Sequence, residues 1–182
     1  AMDKKSLRFG NSILGNPPTE AAIEFCVIAP SIEFNGNGCI AITGVNLTPS
    51  LNNHLIPLNE KITVKKNDIL RFKGSNENGV YGYICLKGRL NIPLIWGSKS
   101  TYVYGAIGGY KGRSLLKGDV LEVIKCVSIL KKETQLLIQE NPTIRILRGP
   151  EYYDFPDSDI EQVSEAIFTI SKNTNRMGAR ID

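Results

Sequence analysis

Short apolar segments separated by turn residues run through the sequence, and their spacing limits the folds open to the chain. Clusters of Gly and Asn, as at 35–38 and 74–79, mark turns between these segments. Segments with the length and the β-branched and aromatic residues typical of strands lie at 21–28, 39–45, 61–64, 69–73, 80–86, 101–104, 120–127, 134–139, 143–148 and 166–171. Short strands this close together favour a β-barrel or β-sandwich over a fold that alternates strands with helices. We therefore predict a mainly β protein.

Two segments predict helices. Residues 3–15 predict a short N-terminal helix, because Asp3 can cap its first turn and Gly15 begins a Gly-Asn-Pro-Pro sequence that ends it. The apolar side of this helix is supplied by Leu7 and Leu14, with Phe9 as a further candidate. Residues 158–167, SDIEQVSEAI, predict a short amphipathic helix.

The strand pattern restarts near Glu140-Asn141-Pro142, which indicates a domain boundary. We predict a β-barrel domain over residues 1–140 and the start of a second β domain over residues 141–182. About forty residues are too few to bury a core of their own. We therefore expect the second segment either to pack on the first domain or to be an incomplete domain.

The charges of the chain indicate an ordinary solvated surface. Lys and Arg number 22 and Asp and Glu number 18, which gives a net charge of +4. The basic residues form no run typical of nucleic-acid or membrane binding, so neither partner is expected. No segment approaches the ~20 continuous apolar residues of a membrane span, and the N-terminal residues are charged where a signal peptide is apolar. We predict a cytoplasmic protein.

Cysteine and histidine provide no recognisable metal site. The cysteines lie far apart without a Cys-x-x-Cys pair, at Cys26, Cys39, Cys85 and Cys126. The only histidine, His54, lies in a polar loop with no nearby acid to orient it. We predict buried, reduced thiols, a surface histidine and no metal.

Residues 100–119, STYVYGAIGGYKGRSLLKGD, contain five glycines and resemble a phosphate-binding loop at first sight. A Walker A motif is excluded, because Ile107 stands at the first glycine position, Arg113 replaces the lysine and no helical pattern follows. No strand–glycine–helix order or Gly-x-Ser-x-Gly sequence is present either. The donors that remain are exposed backbone N–H groups and the side chains of Ser98, Thr101, Lys111 and Arg113. They suit a carboxylate or a developing oxyanion, and tight turns alone explain the glycines equally well.

One short pattern occurs twice, at 66–70 and 117–121. Each copy has Lys, then Asn or Gly, then Asp, a β-branched residue and Leu. Asn and Gly tolerate a positive φ, and Asp can bind the backbone of its own turn. The pattern predicts two turns that each begin a strand.

Residues 87–119 contain, in order, a Gly, a Pro, Gly-Ser-x-Ser-Thr, Gly-Gly-x-x-Gly-Arg and Gly-Asp. The matching residues are Gly88, Pro93, Gly97, Ser98, Ser100, Thr101, Gly108, Gly109, Gly112, Arg113, Gly118 and Asp119. This order resembles the signature of the biotin-dependent carboxyltransferase family that includes allophanate hydrolase subunit 2 and the C component of 5-oxoprolinase.

Three further stretches are similar to the same family: AMDKKSLRFGNSILGNPPTEAAIEF at 1–25, ITGVN at 42–46 and NRMGARI at 175–181. The chain departs from the family pattern at Lys87, where Gly is usual, and at Asn46, where an acidic residue is common. The resemblance begins inside one motif and stops just after another. We therefore expect the chain to be part of a family member.

The resemblance implies a cyclophilin-like β-barrel and a companion subunit that carries a related barrel. It implies carboxyl transfer from carboxybiotin, held on a partner carrier protein, to a small acceptor amide, as in urea carboxylase. In the oxoprolinase context it implies ATP-driven ring opening of 5-oxoproline by the complex. The chain is then an enzyme subunit that is active only in a complex.

The resemblance also implies site residues. Backbone N–H groups of Gly108 and Gly109, together with Arg113, would stabilise charge on the ureido oxygen of biotin. The side chains implied to hold an acidic substrate are Asn46, Ser98, Thr101, Arg176 and Arg180. Pairing of the two last arginines with Asp3 or Asp119 is an equally good structural role for them. No catalytic base is identified.

Two other functions are consistent with the same resemblance. One branch of the family antagonises a kinase inhibitor, so a regulatory protein that binds a partner subunit without catalysis is the alternative. A non-catalytic fragment is the third hypothesis, because a partial chain can lack half of its site.

Overall fold

The computed structural model describes residues 1–74, 79–125, 146–171, 178, 180 and 181. The chain divides into two units, Ala1–Leu136 and Leu137–Asp182. The described part is mainly β-sheet with two α-helices, which confirms the predicted fold class. The strand predictions at 134–139 and at 143–145 lie outside the described residues, as does Cys126.

The first unit consists of one helix and short antiparallel strands. Its elements are α1 (Lys4–Leu14), β1 (Ile23–Cys26), β2 (Ile32–Glu33), β3 (Gly38–Gly44), β4 (Pro49–Leu51), β5 (His54–Leu55), β6 (Ile62–Val64), β7 (Ile69–Phe72), β8 (Tyr81–Leu86), β9 (Arg89–Leu90) and β10 (Val123–Ile124). One sheet has the order β1-β8-β3-β6 and another the order β2-β7-β4-β5, while β9 pairs with β10. Two antiparallel sheets around a shared core are compatible with the expected barrel.

The two faces of the central strands belong to different apolar clusters. Along β3, Ile40 and Ile42 face a core that also contains Phe25 of β1, Leu70 of β7 and Ile84 of β8. This core therefore draws on strands of both four-stranded sheets. Because side chains alternate across a strand, the intervening residues of β3 and β8 face the other way.

Helix α1 covers that outer face. Its Phe9 and Ile13 pack against Ala41 of β3 and against Tyr83 and Cys85 of β8. The outcome is a helix layer on the β1-β8-β3-β6 sheet, with a second apolar cluster between them. Burial raises the pKa of the Tyr83 hydroxyl, and it raises the pKa of the Cys85 thiol to about 12.

The ends of α1 follow from the residues predicted to form them. The backbone N–H of Ser6 donates to Asp3 Oδ1 at 3.0 Å, which caps the first turn. Gly15 ends the helix with φ +68°, a left-handed conformation that glycine adopts without steric cost. The sequence therefore predicted this helix to within one residue at each end.

Buried asparagines join α1 to the sheet. Asn16 Nδ2 donates to the Leu86 carbonyl at 2.8 Å, and Asn16 Oδ1 accepts from the Gly88 N–H at 3.0 Å. Asn11 Nδ2 donates to the Glu20 carbonyl at 2.8 Å. Because these buried groups are hydrogen-bonded, they fix where the chain runs after the helix and where β8 turns into β9.

In the second unit, a short 3-10 helix spans Pro150–Asp154 and α2 spans Asp157–Glu165. This position agrees with the helix predicted at 158–167. Among the described residues of this unit, an isolated antiparallel bridge joins Ile170 to Ile181. Among the residues that the structure describes, no helix is long and apolar enough to cross a membrane.

Several sequence-based predictions are wrong in detail. Residues 101–104 form no strand; they contain one bridge residue, Tyr102, and the start of a 3-10 helix. Within 120–127, the described strand is only Val123–Ile124. Residues 146–148 and 166–169 carry no strand. Cys26 is exposed rather than buried.

The contact between α1 and the sheet requires a glycine at position 10. A Cβ atom there would lie 2.6 Å from Cys85 Sγ and 3.0 Å from Thr43 Oγ1. We expect Gly10→Ala to lower the free energy of unfolding by about 1–3 kcal/mol through overpacking. Helix propensity alone would instead raise the free energy of unfolding by about 1 kcal/mol, so the two effects have opposite signs. Urea denaturation measures the difference.

The control is Arg8→Ala, an exposed position in the same helix, which should change stability by less than about 0.5 kcal/mol. An increase in stability for Gly10→Ala would show that the helix can move away from the sheet at no cost.

Candidate active site at the glycine loop

The segment from Ile95 to Arg113 folds back on itself. A hairpin pairs Ile95 with Ser98 through two N–H···O=C bonds of 2.9 Å. Tyr102 and Ile107 form a second two-way pair at 2.8 and 3.1 Å, around the 3-10 helix Val103–Gly105. We call residues 95–113 the glycine loop.

Three glycines in this loop allow close backbone contacts. At Gly108, with φ +70°, a Cβ atom would collide with the Ser100 carbonyl oxygen. At Gly109, with φ +52°, it would collide with the Thr101 side chain. Gly112, with φ +66°, lies against the Ala106 backbone in the same way. These glycines are therefore required by loop packing.

The same conformation leaves two backbone donors without a described partner, at half-buried Gly108 and buried Gly109. Within the part of the chain that the structure describes, the N–H groups of Gly108 and Gly109 have no hydrogen-bond acceptor. The next turn is internally bonded, because the Gly112 N–H donates to the Gly108 carbonyl at 2.9 Å. Two adjacent N–H groups without an acceptor suit an oxygen that carries or develops negative charge.

Arg113 forms a bidentate ion pair with Asp119. Its Nη1 and Nη2 lie 2.6 and 2.7 Å from the two carboxylate oxygens of Asp119. Nη1 also donates to the Ser114 carbonyl at 2.8 Å. The Arg113 hydrogen bond is the main cause that lowers the pKa of Asp119 to about 2, and the Leu116 N–H assists it. The same pair raises the pKa of Arg113.

The pattern that occurs twice in the sequence forms the same turn twice. Asp119 Oδ2 accepts from the Leu116 N–H, and Asp68 Oδ2 accepts from the Lys65 N–H, each at 2.7 Å. The preceding residues have positive φ, +90° for Gly118 and +69° for Asn67. The predicted turn chemistry is confirmed at both places.

A buried ion pair near the loop was missed from the sequence. Glu20 follows the prolines after α1 and is only 7% exposed, yet its Oε1 accepts from Lys99 Nζ at 2.7 Å. Lys99 Nζ also donates to the Leu90 carbonyl at 3.2 Å, and Arg89 Nε lies 3.8 Å from Glu20 Oε2. Lys99 occupies the variable position of Gly-Ser-x-Ser-Thr, so the motif gave no signal for it.

The remaining predicted site residues lie on turns. Ser98 is exposed, and its Oγ accepts from the Ser100 N–H at 3.1 Å. Asn46 is exposed, and its Oδ1 accepts from the Thr48 N–H at 2.9 Å. Thr101 is half-buried against Gly109.

Two predicted arginines lie in the second unit. Arg180 is exposed, and its carbonyl accepts from the Ser171 N–H at 2.8 Å. Arg176 lies outside the described residues. His54 is exposed on β5 in the first unit, as expected.

A cavity of about 850 Å³ lies elsewhere in the first unit, between residues 30–40 and 115–125. Asp119 lines it, but none of the predicted site residues does. We place the candidate site at the glycine loop, because the adjacent N–H groups of Gly108 and Gly109 lie there without acceptors among the described residues. Among the described residues, no cluster of three His, Cys, Asp or Glu could hold a metal.

The chain belongs to the family described as "carboxyltransferase domain, subdomain A and B", whose model matches residues 1–182. The resemblance noted in the sequence is thereby confirmed.

Proteins similar to this chain include enzymes of two kinds. It is 33% identical over 193 residues to urea amidolyase of Saccharomyces cerevisiae, and 30% identical over 183 residues to the C component of 5-oxoprolinase of Escherichia coli. It spans 10% of the length of the first and 58% of the second, while 99% and 100% of this chain is covered. In the crystal structure of Kluyveromyces lactis urea carboxylase, 17% of that chain matches all of this one, with a TM-score of 0.84 and 30% identity.

Removing the Arg113 guanidinium should remove the hydrogen bonds that do most to lower the pKa of Asp119. We expect the pKa of Asp119 to rise from about 2 toward its ordinary value of 3.8 in Arg113→Met, as read from the carboxyl ¹³C shift in an NMR titration. Because pairing lowers the folded-state pKa, its stabilising effect is complete above the unfolded-state value of about 3.9. That effect is lost as the pH falls through about 2.

Asp68 provides the internal control for this titration. Hydrogen bonds from the Lys65 N–H and from Asn52 lower its pKa, so it should titrate at the same pH in both proteins. An unchanged Asp119 titration in Arg113→Met would show that the ion pair does not form in solution.

Removing the Lys99 ammonium should destabilise the chain, because Glu20 is buried. We expect Lys99→Met to cost about 1–3 kcal/mol of unfolding free energy in urea denaturation. A Glu20→Leu/Lys99→Met double variant should recover part of that loss, since no unpaired charge remains. Lys117→Met, at an exposed position, is the matched control. Equal stabilities of Lys99→Met and Lys117→Met would rule out a structural role for the ion pair.

Proposed function

We propose that this chain is part of a carboxyltransferase subunit that acts on a small amide substrate within a multi-subunit, cytoplasmic complex. The complex is of the urea carboxylase or 5-oxoprolinase type, and it consumes ATP. The observation that supports this proposal is the pair of N–H groups without acceptors at Gly108 and Gly109. Membership of the carboxyltransferase domain family makes acyl chemistry their natural use.

Carboxybiotin, presented by a partner carrier, would supply the carboxyl group and would leave negative charge on its ureido oxygen. The Gly108 and Gly109 N–H groups fit this need, because neither must give up another hydrogen bond to bind an oxygen. Their conformation is set by contacts with Ser100 and Thr101, so the donors are held in place before any ligand arrives.

Arg113 has a different role in this proposal from that of a substrate clamp. Two of its nitrogens already bind Asp119, so its main effect is to position the end of the glycine loop. The guanidinium also lies 5.5 Å from the centre of the Tyr110 ring. Since Nε makes no hydrogen bond in the described residues, one edge of the group remains able to bind an anion.

We assign substrate binding to polar side chains of the first unit. Ser98 accepts one hydrogen bond, and its hydroxyl proton can still be donated. Asn46 uses its oxygen in a turn and keeps its amide NH₂ as a donor. We assign the same role to Thr101. The substrate-binding role that the family resemblance implies for Arg176 and Arg180 stays a prediction.

Turnover tests the proposal directly. The natural protein that contains this chain should be combined with its companion subunit and carrier, and ATP consumption measured with urea and with 5-oxoproline. We expect one of the two substrates to stimulate it. In Gly108→Ala, whose Cβ would displace the Ser100 contact, kcat should fall by about 10²–10³-fold.

Gly36→Ala is the matched control, because a Cβ at Gly36 meets no atom within 4 Å and its kcat should be unchanged. If the companion subunit binds tightly but neither substrate stimulates ATP consumption, the chain is a regulatory binding protein instead. An unaltered kcat in Gly108→Ala would remove the glycine loop from the active site.

A further inference from the structure

The glycine loop is not anchored by the apolar core of the first unit. None of residues 91–108 is buried, and none of them belongs to either apolar cluster. The hydrogen bonds between Ile95 and Ser98 and between Tyr102 and Ile107 join loop residues only to one another. They give the loop a defined shape, so other contacts must fix its position on the fold.

Two charged side chains join the loop to the rest of the first unit. In the described part of the chain, the Lys99 ammonium makes every hydrogen bond between residues 95–112 and residues outside the loop. At the other end, Arg113 binds Asp119, six residues further along the chain. Of the two contacts, only that of Lys99 connects the loop to a segment distant in sequence, because Glu20 lies 79 residues away.

Glu20 is itself fixed by several hydrogen bonds. Its Oε1, which lies 2.7 Å from Lys99 Nζ, also accepts from the Ala21 N–H at 3.1 Å. Its carbonyl accepts from Asn11 Nδ2 at 2.8 Å, and its N–H donates to the Pro17 carbonyl at 2.9 Å. The Glu20 carboxylate therefore has one position relative to α1, and it holds the end of the Lys99 side chain there.

The two residues that follow Lys99 contact the backbone donors of the candidate site. The Ser100 carbonyl oxygen occupies the space that a Cβ atom on Gly108 would need. The Thr101 side chain occupies the corresponding space at Gly109. A displacement of Lys99 would therefore move Ser100 and Thr101, and with them the N–H groups of both glycines.

Net stability alone does not account for a buried ion pair at this place. Apolar side chains of similar size often replace such a pair without loss of stability, because the two charges lose their hydration on burial. A charge-assisted hydrogen bond differs from apolar packing in having a defined length and direction. That property matters next to reacting atoms, where a misplacement of about 1 Å can lower a rate by about 100-fold.

We infer that Glu20 and Lys99 are positioning residues for the reaction. Their ion pair holds residues 100–101 in place, and these residues hold the Gly108 and Gly109 N–H groups where negative charge develops on an oxygen. The pair acts through the backbone and requires no contact with the substrate. The inference rests on the proposed function, which supplies the reacting oxygen.

A double variant separates positioning from stability. Glu20→Leu/Lys99→Met leaves no unpaired buried charge, so it should regain part of the stability that Lys99→Met loses. We expect its kcat and kcat/KM to remain about 100-fold below those of the unaltered protein, since the donors are misplaced in the transition state. The measurement is substrate-stimulated ATP consumption by the natural protein with its companion subunit and carrier, beside urea denaturation of each variant.

Two single variants are the controls. Lys99→Arg keeps a cation opposite Glu20 and should therefore restore most of kcat. Lys117→Met removes an exposed cation outside the loop and should leave kcat unchanged.

A second measurement does not require turnover. In the natural protein labelled with ¹⁵N-glycine, ¹H–¹⁵N spectra report directly on the N–H groups of Gly108 and Gly109. We expect both signals to shift in Lys99→Met and in the double variant, because the backbone around them moves. Neither signal should shift in Lys117→Met.

Two outcomes would overturn the inference. One is a double variant that recovers kcat together with stability, which is the result of a purely structural ion pair. The other is unshifted Gly108 and Gly109 signals in both variants that lack Lys99. Shifted signals, in a protein whose unaltered form shows no turnover in the complex, would support the positioning of the donors while rejecting the proposed function.

Discussion

The rest of the first unit depends on one contact, the packing of α1 against the β1-β8-β3-β6 sheet. It is close only because Gly10 has no side chain, so the helix backbone approaches Cys85 and Thr43. That approach places Asn11 where it can hold the Glu20 carbonyl, and Glu20 in turn holds Lys99. The helix is thereby connected to the glycine loop through the Asn11 hydrogen bond and the Glu20–Lys99 ion pair.

The chain stabilises loops with carboxylates that accept backbone N–H groups. Asp3 does so at the start of α1, and Asp68 and Asp119 do so at the starts of turns. Each of these acids also accepts from a side chain, that of Ser6 for Asp3, Asn52 for Asp68 and Arg113 for Asp119. Short polar segments are thus held in place without a large apolar core beneath them.

The sequence predicted the features that depend on local chemistry. The cap and the end of α1, the longer strands and the two Asp turns follow from neighbouring residues. Two-residue strands such as Ile32–Glu33 were missed, because pairing with Leu70 rather than local propensity defines them. Residues 101–104 have strand-like side chains, but the glycines that follow fold the chain back before it can pair. The Glu20–Lys99 pair was not predictable, since 79 residues separate its members.

Cys85 gives the helix contact a chemical consequence. Burial holds its pKa at about 12, so near neutral pH the sulfur is protonated and is a poor nucleophile. Its Sγ lies under Gly10, and its only described hydrogen bond is a weak one of 3.9 Å to the Leu7 carbonyl. A thiol reagent can therefore reach this sulfur only when α1 lifts from the sheet. The rate at which a thiol reagent modifies Cys85 therefore reports how often α1 lifts from the sheet. The exposed Cys26 is the reference thiol, because the reagent reaches it in the folded chain.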